Sequence, residues 1–193
     1  YYKKAFARVA TLEKAIPAQW EGILEKHSVF FRKLDASKRR LFLRRAQLFL
    51  SGKKVEGIDT DVDELVRLLV AASAIIPTFA FPAFDYPELR EVLIYPKSFS
   101  KEFEIDGAHK HEENIEGMVG NRYMNRSLLL SKPALLADFD GEVGDENVGI
   151  HEFVHLLDRE DGDTDGVPEE LAQRNYVMPW LHLIKVEMDR IKT

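Results

Sequence analysis

Apolar positions recur at helical spacing over the first half of the chain and in short strand-like runs after it. Ile16-Pro17-Ala18-Gln19-Trp20 reads as a helix start with proline in the first turn, fading near Lys26. Val29-Phe30-Phe31 is a short apolar plug. Asp35-Ala36-Ser37 opens a second helix through Leu41, Phe42, Leu48 and Phe49, stopped at Ser51-Gly52. Thr60 to Glu64 predicts the next cap, with Asp61 and Glu64 at capping-box spacing, and Leu65, Leu68, Leu69, Ala72 and Ile76 continue that helix until Pro77. Its far end, Ala71-Ala72-Ser73-Ala74, is small enough for another helix to approach closely. Phe79 to Pro87 is a loop rich in aromatics and proline, suited to covering a core edge or walling a cleft.

The pattern then changes. Glu91-Val92-Leu93-Ile94-Tyr95, ended by Pro96, predicts a strand; Asn114 to Gly120 predicts another. Asn121 to Asn125 reads as a turn before a strand over Ser127–Ser131. Gly144-Asp145-Glu146-Asn147 then caps an apolar helix carrying Val148, Ile150, Phe153, Val154, Leu156 and Leu157. Pro179-Trp180 begins a last amphipathic helix through Leu183, Ile184 and Met188. Helices, then strands, then a helix predict an α+β fold with a small mixed sheet. We expect one domain over 1–193, with 15–90 mainly helical and 91–193 holding the sheet and the motif helix described next.

The motif is His151-Glu152-Phe153-Val154-His155. Two histidines four apart on a helix project from one face and can converge on one ion. Glu152 beside the first ligand cannot point directly away from that ion, and is placed to move a proton from metal-bound water to a leaving amine. Asp158 falls on the same face and could accept the free N–H of His155. H-E-x-x-H on a helix is the zinc metallopeptidase signature. The bland alternative, a core helix with two buried histidines, would bury Glu152 without a stated partner.

Composition narrows the rest. The 193 residues are 45% apolar and 31% charged, an ordinary globular balance. Lys+Arg 27 against Asp+Glu 33 gives a net charge of −6, which argues against direct nucleic-acid binding. The dense basic run, Lys38-Arg39-Arg40 with Arg44-Arg45, is expected to be a solvated helix face. The absence of cysteine excludes disulfides and thiolate chemistry, and is compatible with a cytoplasmic setting. Tyr1-Tyr2-Lys3-Lys4 resembles the edge of a membrane anchor upstream of residue 1, although a trimmed N-terminus reads as well.

Three other features bear on metal. Asp161-Gly162-Asp163-Thr164-Asp165-Gly166 matches the first half of a calcium loop, but Ala172 stands where a bidentate glutamate is needed, so a solvated acidic turn is expected. His109-Lys110-His111 in a charged stretch reads as solvated. A third zinc ligand is not evident: Asp161 has metzincin spacing without the accompanying glycine or Met-turn, and Glu169, Glu170 and Glu187 are the other candidates. The strand Ser127–Ser131, if an edge beside the metal, would bind an extended peptide by main-chain pairing; a fully paired core strand is the other reading. Tyr123 and Tyr176 are the candidates for stabilising an oxyanion.

In order from Trp20 to Pro168, the chain resembles the Mlc titration factor A type of zinc metallopeptidase. The resemblance runs through Phe49-Leu50-Ser51-Gly52-Lys53, Ala71 to Ala74, Val92 to Pro96, Leu128 to Ser131, His151 to Asp158, and Asp161-Gly162 with Asp165 to Pro168. It implies a gluzincin-like fold related to the anthrax lethal factor catalytic domain, one zinc ion on His151 and His155, and Glu152 as general base and acid. It further implies aminopeptidase-like activity on peptides, and a transcriptional repressor as a binding partner. The family completes its zinc site with a glutamate in an Ala-Glu-x-Phe type stretch well beyond the motif helix. No such stretch occurs in these 193 residues, so a missing C-terminal portion or a differently built site is expected. A regulatory binding protein with incidental catalysis is therefore the rival reading.

Overall fold

The computed structural model describes residues 9–80, 85–96, 123–124, 126–140 and 147–158, with 123, 124 and 158 described in backbone only. The chain divides into two compact units, Tyr1–Phe153 and Val154–Thr193, and the described elements lie in the first apart from the end of the last helix.

Helix α1 (Gln19–His27) is followed by a single helical turn, α2 (Val29–Arg32), where the apolar plug was expected. The Ser28 hydroxyl accepts from the Phe31 amide, capping that turn. Helix α3 (Ala36–Gly52) begins where predicted, with the Asp35 carboxylate accepting from the Lys38 amide. Helix α4 (Glu64–Ile75) is capped by Asp63, which accepts from Val66 N–H, and not through the Asp61–Glu64 box. The reason is tertiary. The Glu64 carboxylate is taken by Trp20 Nε1 at 2.9 Å and Gln19 Nε2 at 3.1 Å, so it cannot fold back on its own helix.

A four-stranded sheet has the order β1 (Lys54–Gly57), β2 (Glu91–Tyr95), β4 (Ser127–Ser131), β3 (Tyr123–Met124). β1, β2 and β4 are parallel, and β3 pairs antiparallel with the start of β4. The fold is α+β. The register aligns Val55 with Val92 and Val92 with Leu128, and Ile94 with Leu130. All five are buried, so alternate residues of three strands make one apolar face. Between β1 and β2 runs α4, buried on every side from Leu68 to Ile75. Phe30, Phe31, Phe42 and Phe79 form an aromatic cluster with centroids 5.4–6.1 Å apart. Full burial of Phe31 and Phe42 contributes about 1.5–3 kcal/mol each.

Several expectations are revised. Part of the turn expected over 121–125 is strand β3, and Arg126 with φ 72° closes the hairpin into β4. β4 is covered in part: β3 pairs with Ser127 and Leu128, and no described strand pairs with Leu129 to Ser131 on that side. The run Lys38 to Arg45 is not simply a solvated face. Arg39 reaches the carbonyls of Leu34 and Arg32 and stacks over Phe31, and Arg45 holds the carbonyls of Thr78 and Phe79. Helix ends and turns there leave carbonyls needing donors, and the arginines supply them. β1 and a helix α5 (Lys132–Asp140) had no counterpart in the expected elements. The strand expected over 114–120 and the helix from Pro179 lie outside the described residues. No helix among the described residues is long and apolar enough to cross a membrane.

Candidate metal-binding helix

The motif lies on α6 (Val148–Asp158), whose first turn is built with care. The Asn147 side chain accepts from Ile150 N–H at 2.8 Å, and its carbonyl accepts from His151 N–H at 2.9 Å. Asp138 of α5 reaches across to accept from Val148 N–H at 2.6 Å. Two carbonyl-type oxygens from different elements thus satisfy amides that a helix leaves orphaned. Burial raises the Asp138 carboxyl above its ordinary value, and the amides of Val148 and Gly149 oppose that rise.

Two residues seat the helix. A Cβ on Gly149 would lie 2.3 Å from Ser73 Oγ and 3.1 Å from Leu135 Cδ1, so only glycine lets α6 come this close to α4 and α5. That is the close packing expected of the Ala71–Ala74 stretch. Four residues on, Phe153 is fully buried, edge-on to Phe49 at 5.8 Å and to Tyr86 at 5.1 Å. Tyr86 is itself fixed: its hydroxyl donates to the Ala74 carbonyl, and the buried Lys53 ammonium donates to the carbonyls of Tyr86 and Leu89. Tyr86 therefore covers a core edge.

With the helix seated by Gly149 and Phe153, His151 and His155 are exposed and Glu152 is buried. Two solvent-facing imidazoles about 40° apart around a helix are a donor pair that suits a zinc ion. The histidines are not the buried ones of the bland reading, whereas Glu152 is buried as that reading requires. Among the described residues no group of three or more His, Asp or Glu side chains is gathered to hold a metal. Asp161, Glu169, Glu170, Glu187, the 161–166 loop, His109, His111 and Tyr176 lie outside the described residues, as do the side chains of Tyr123 and Asp158. Sequence reasoning missed Asp138, Gly149, Tyr86 and Lys53. Only Gly149 carried a signal, a glycine in the first turn of an apolar helix.

The sequence comparisons connect this α+β chain with a class of metallo-peptidases. The chain belongs to the glucose-regulated metallo-peptidase M90 family, which it matches over residues 3–193. It is 28% identical over 182 residues to an uncharacterized protein of Synechocystis sp., covering 93% of this chain and 66% of that protein. It is 26% identical over 180 residues to Mlc titration factor A of Cronobacter sakazakii, covering 91% of this chain and 65% of that protein. The chain thus spans about two thirds of the length of these relatives.

Proposed function

We propose that this chain forms the motif-bearing part of a zinc-dependent metallopeptidase of aminopeptidase-like activity. The observation that carries the reading is α6 itself: exposed His151 and His155 one turn apart, with the buried Glu152 next to His151 in the chain, on a helix anchored at Gly149 and Phe153. Membership of a metallo-peptidase family supports it. His151 and His155 would hold the zinc, which when bound polarises a peptide carbonyl and acidifies water. Glu152 takes the proton from the attacking water and returns it to the departing amine. Phe153, next to Glu152 in the chain, anchors that part of the helix against Phe49 and Tyr86.

Elemental analysis and peptide hydrolysis test this together. One zinc per chain is expected in the wild type, lost in His155→Ala and retained in Glu152→Gln, with hydrolysis abolished in both variants. Unchanged turnover in Glu152→Gln would refute its role as base.

The second reading is a regulatory protein that captures a partner such as a transcriptional repressor. One relative's name, Mlc titration factor A, favours it. Partner binding that survives Glu152→Gln, with no cleavage of any peptide library by the wild type, would put this reading ahead.

A further inference from the structure

A second feature lies at the edge of the sheet, on β1. Where α3 ends and β1 begins, a cleft of about 380 Å³ is lined by Ser51, Lys53, Lys54, Glu56, Arg67 and Arg90, among others. The cations come from four places: the C-cap of α3, strand β1, the first turn of α4, and the residue before β2. They face a single carboxylate, Glu56, which pairs with Lys54 at 3.2 Å. Such a concentration of positive charge stands out in a chain of net charge −6.

Each cation stands on a fixed backbone. Arg90 N–H donates to the Arg126 carbonyl at 2.7 Å, while the Arg90 carbonyl accepts from Lys54 N–H. Lys53 is buried and clamps the Tyr86 and Leu89 carbonyls just upstream. Arg67 N–H donates to the Asp63 carbonyl in the capped start of α4. Among the described residues three guanidinium groups have no described partner, Arg40, Arg67 and Arg90, and the last two line this cleft. Arg32, Arg39, Arg44, Arg45 and Arg126 each donate to a carbonyl. Two planar donor forks and an ammonium around one concavity match the oxygens of a phosphate group. The volume is that of a small-molecule site.

We propose that this cleft binds a small phosphomonoester, with Arg67 and Arg90 gripping the phosphate oxygens and Lys54 turning from Glu56 to the anion. The proposal is independent of the peptidase reading.

Isothermal titration of the chain with glycerol 2-phosphate and with inorganic phosphate, at ionic strength held constant with chloride, tests it. Saturable one-to-one binding is expected for the wild type. Arg67→Ala/Arg90→Ala should weaken it about tenfold or more. Glu56→Gln should tighten it, because the competing carboxylate is gone, and this holds as a test even if the double variant folds poorly. Arg40→Ala, which removes an exposed guanidinium outside the cleft, should leave it unchanged. An equal loss in Arg40→Ala, or no saturable binding by the wild type, overturns the proposal. So does a glutamate-rich peptide that binds more tightly than glycerol 2-phosphate through the same arginines, since the cleft would then be a protein-docking surface.

Discussion

Gly149 shows how a single missing side chain places a site. Its Cα sits close to Ser73 of α4 and Leu135 of α5, and an added methyl would need space that Ser73 Oγ occupies at 2.3 Å. Gly149→Ala is expected to destabilise the chain by about 1–3 kcal/mol through overpacking, partly masked by the better helix propensity of alanine. Ser73→Ala should recover part of the loss and no more, since Ser73 Cβ would remain 3.1 Å from the new methyl. Denaturant unfolding of the two single variants and the double variant measures this. A Gly149→Ala chain as stable as wild type would mean that α6 is not held by this contact. The sequence shows the glycine but not the serine opposite, because they lie 76 positions apart.

Helix α6 as a whole depends on groups outside itself. Asp138 serves its first amides while carrying a carboxyl raised by burial. A raised carboxyl contributes its stability fully below the ordinary value of 3.8 and loses it as pH rises through the folded value. Asp138→Asn keeps an oxygen for Val148 N–H and has no charge to desolvate. Its melting temperature relative to wild type should therefore climb as pH rises above 3.8 and then level off. Thermal melts across that range decide, and a constant difference would show that the carboxyl does not titrate under strain. The elements themselves were legible to different degrees. α3, α4, β2, β4 and α6 follow from apolar periodicity and flanking breakers, since each buries a face that its own sequence writes. β1 has a single apolar residue, Val55, in four, and is a strand because β2 offers it a ladder. The cap of α4 moved from Asp61 to Asp63 because Trp20 and Gln19 claim Glu64, a contact 44 or 45 positions away.

For the molecule as a whole, charge is the property that sequence reads directly. A net charge of −6 predicts no retention of random-sequence duplex DNA at physiological salt. Fluorescence anisotropy with a labelled duplex would check this, and saturable binding would overturn it. The arginines of α3 add a physical reason, because Arg39 and Arg45 are engaged with carbonyls and aromatic rings. From sequence alone came the α+β class, the metallopeptidase family resemblance and the identity of the motif. Those rest on local periodicity and on residue types at short spacing, which a linear chain displays. Tertiary structure decided which motif residues face solvent, which groups seat and cap their helix, and how β4 is covered. It also gathered Lys54, Arg67 and Arg90 into one cleft. These depend on which side chains meet across tens of residues, and packing of the whole core settles that.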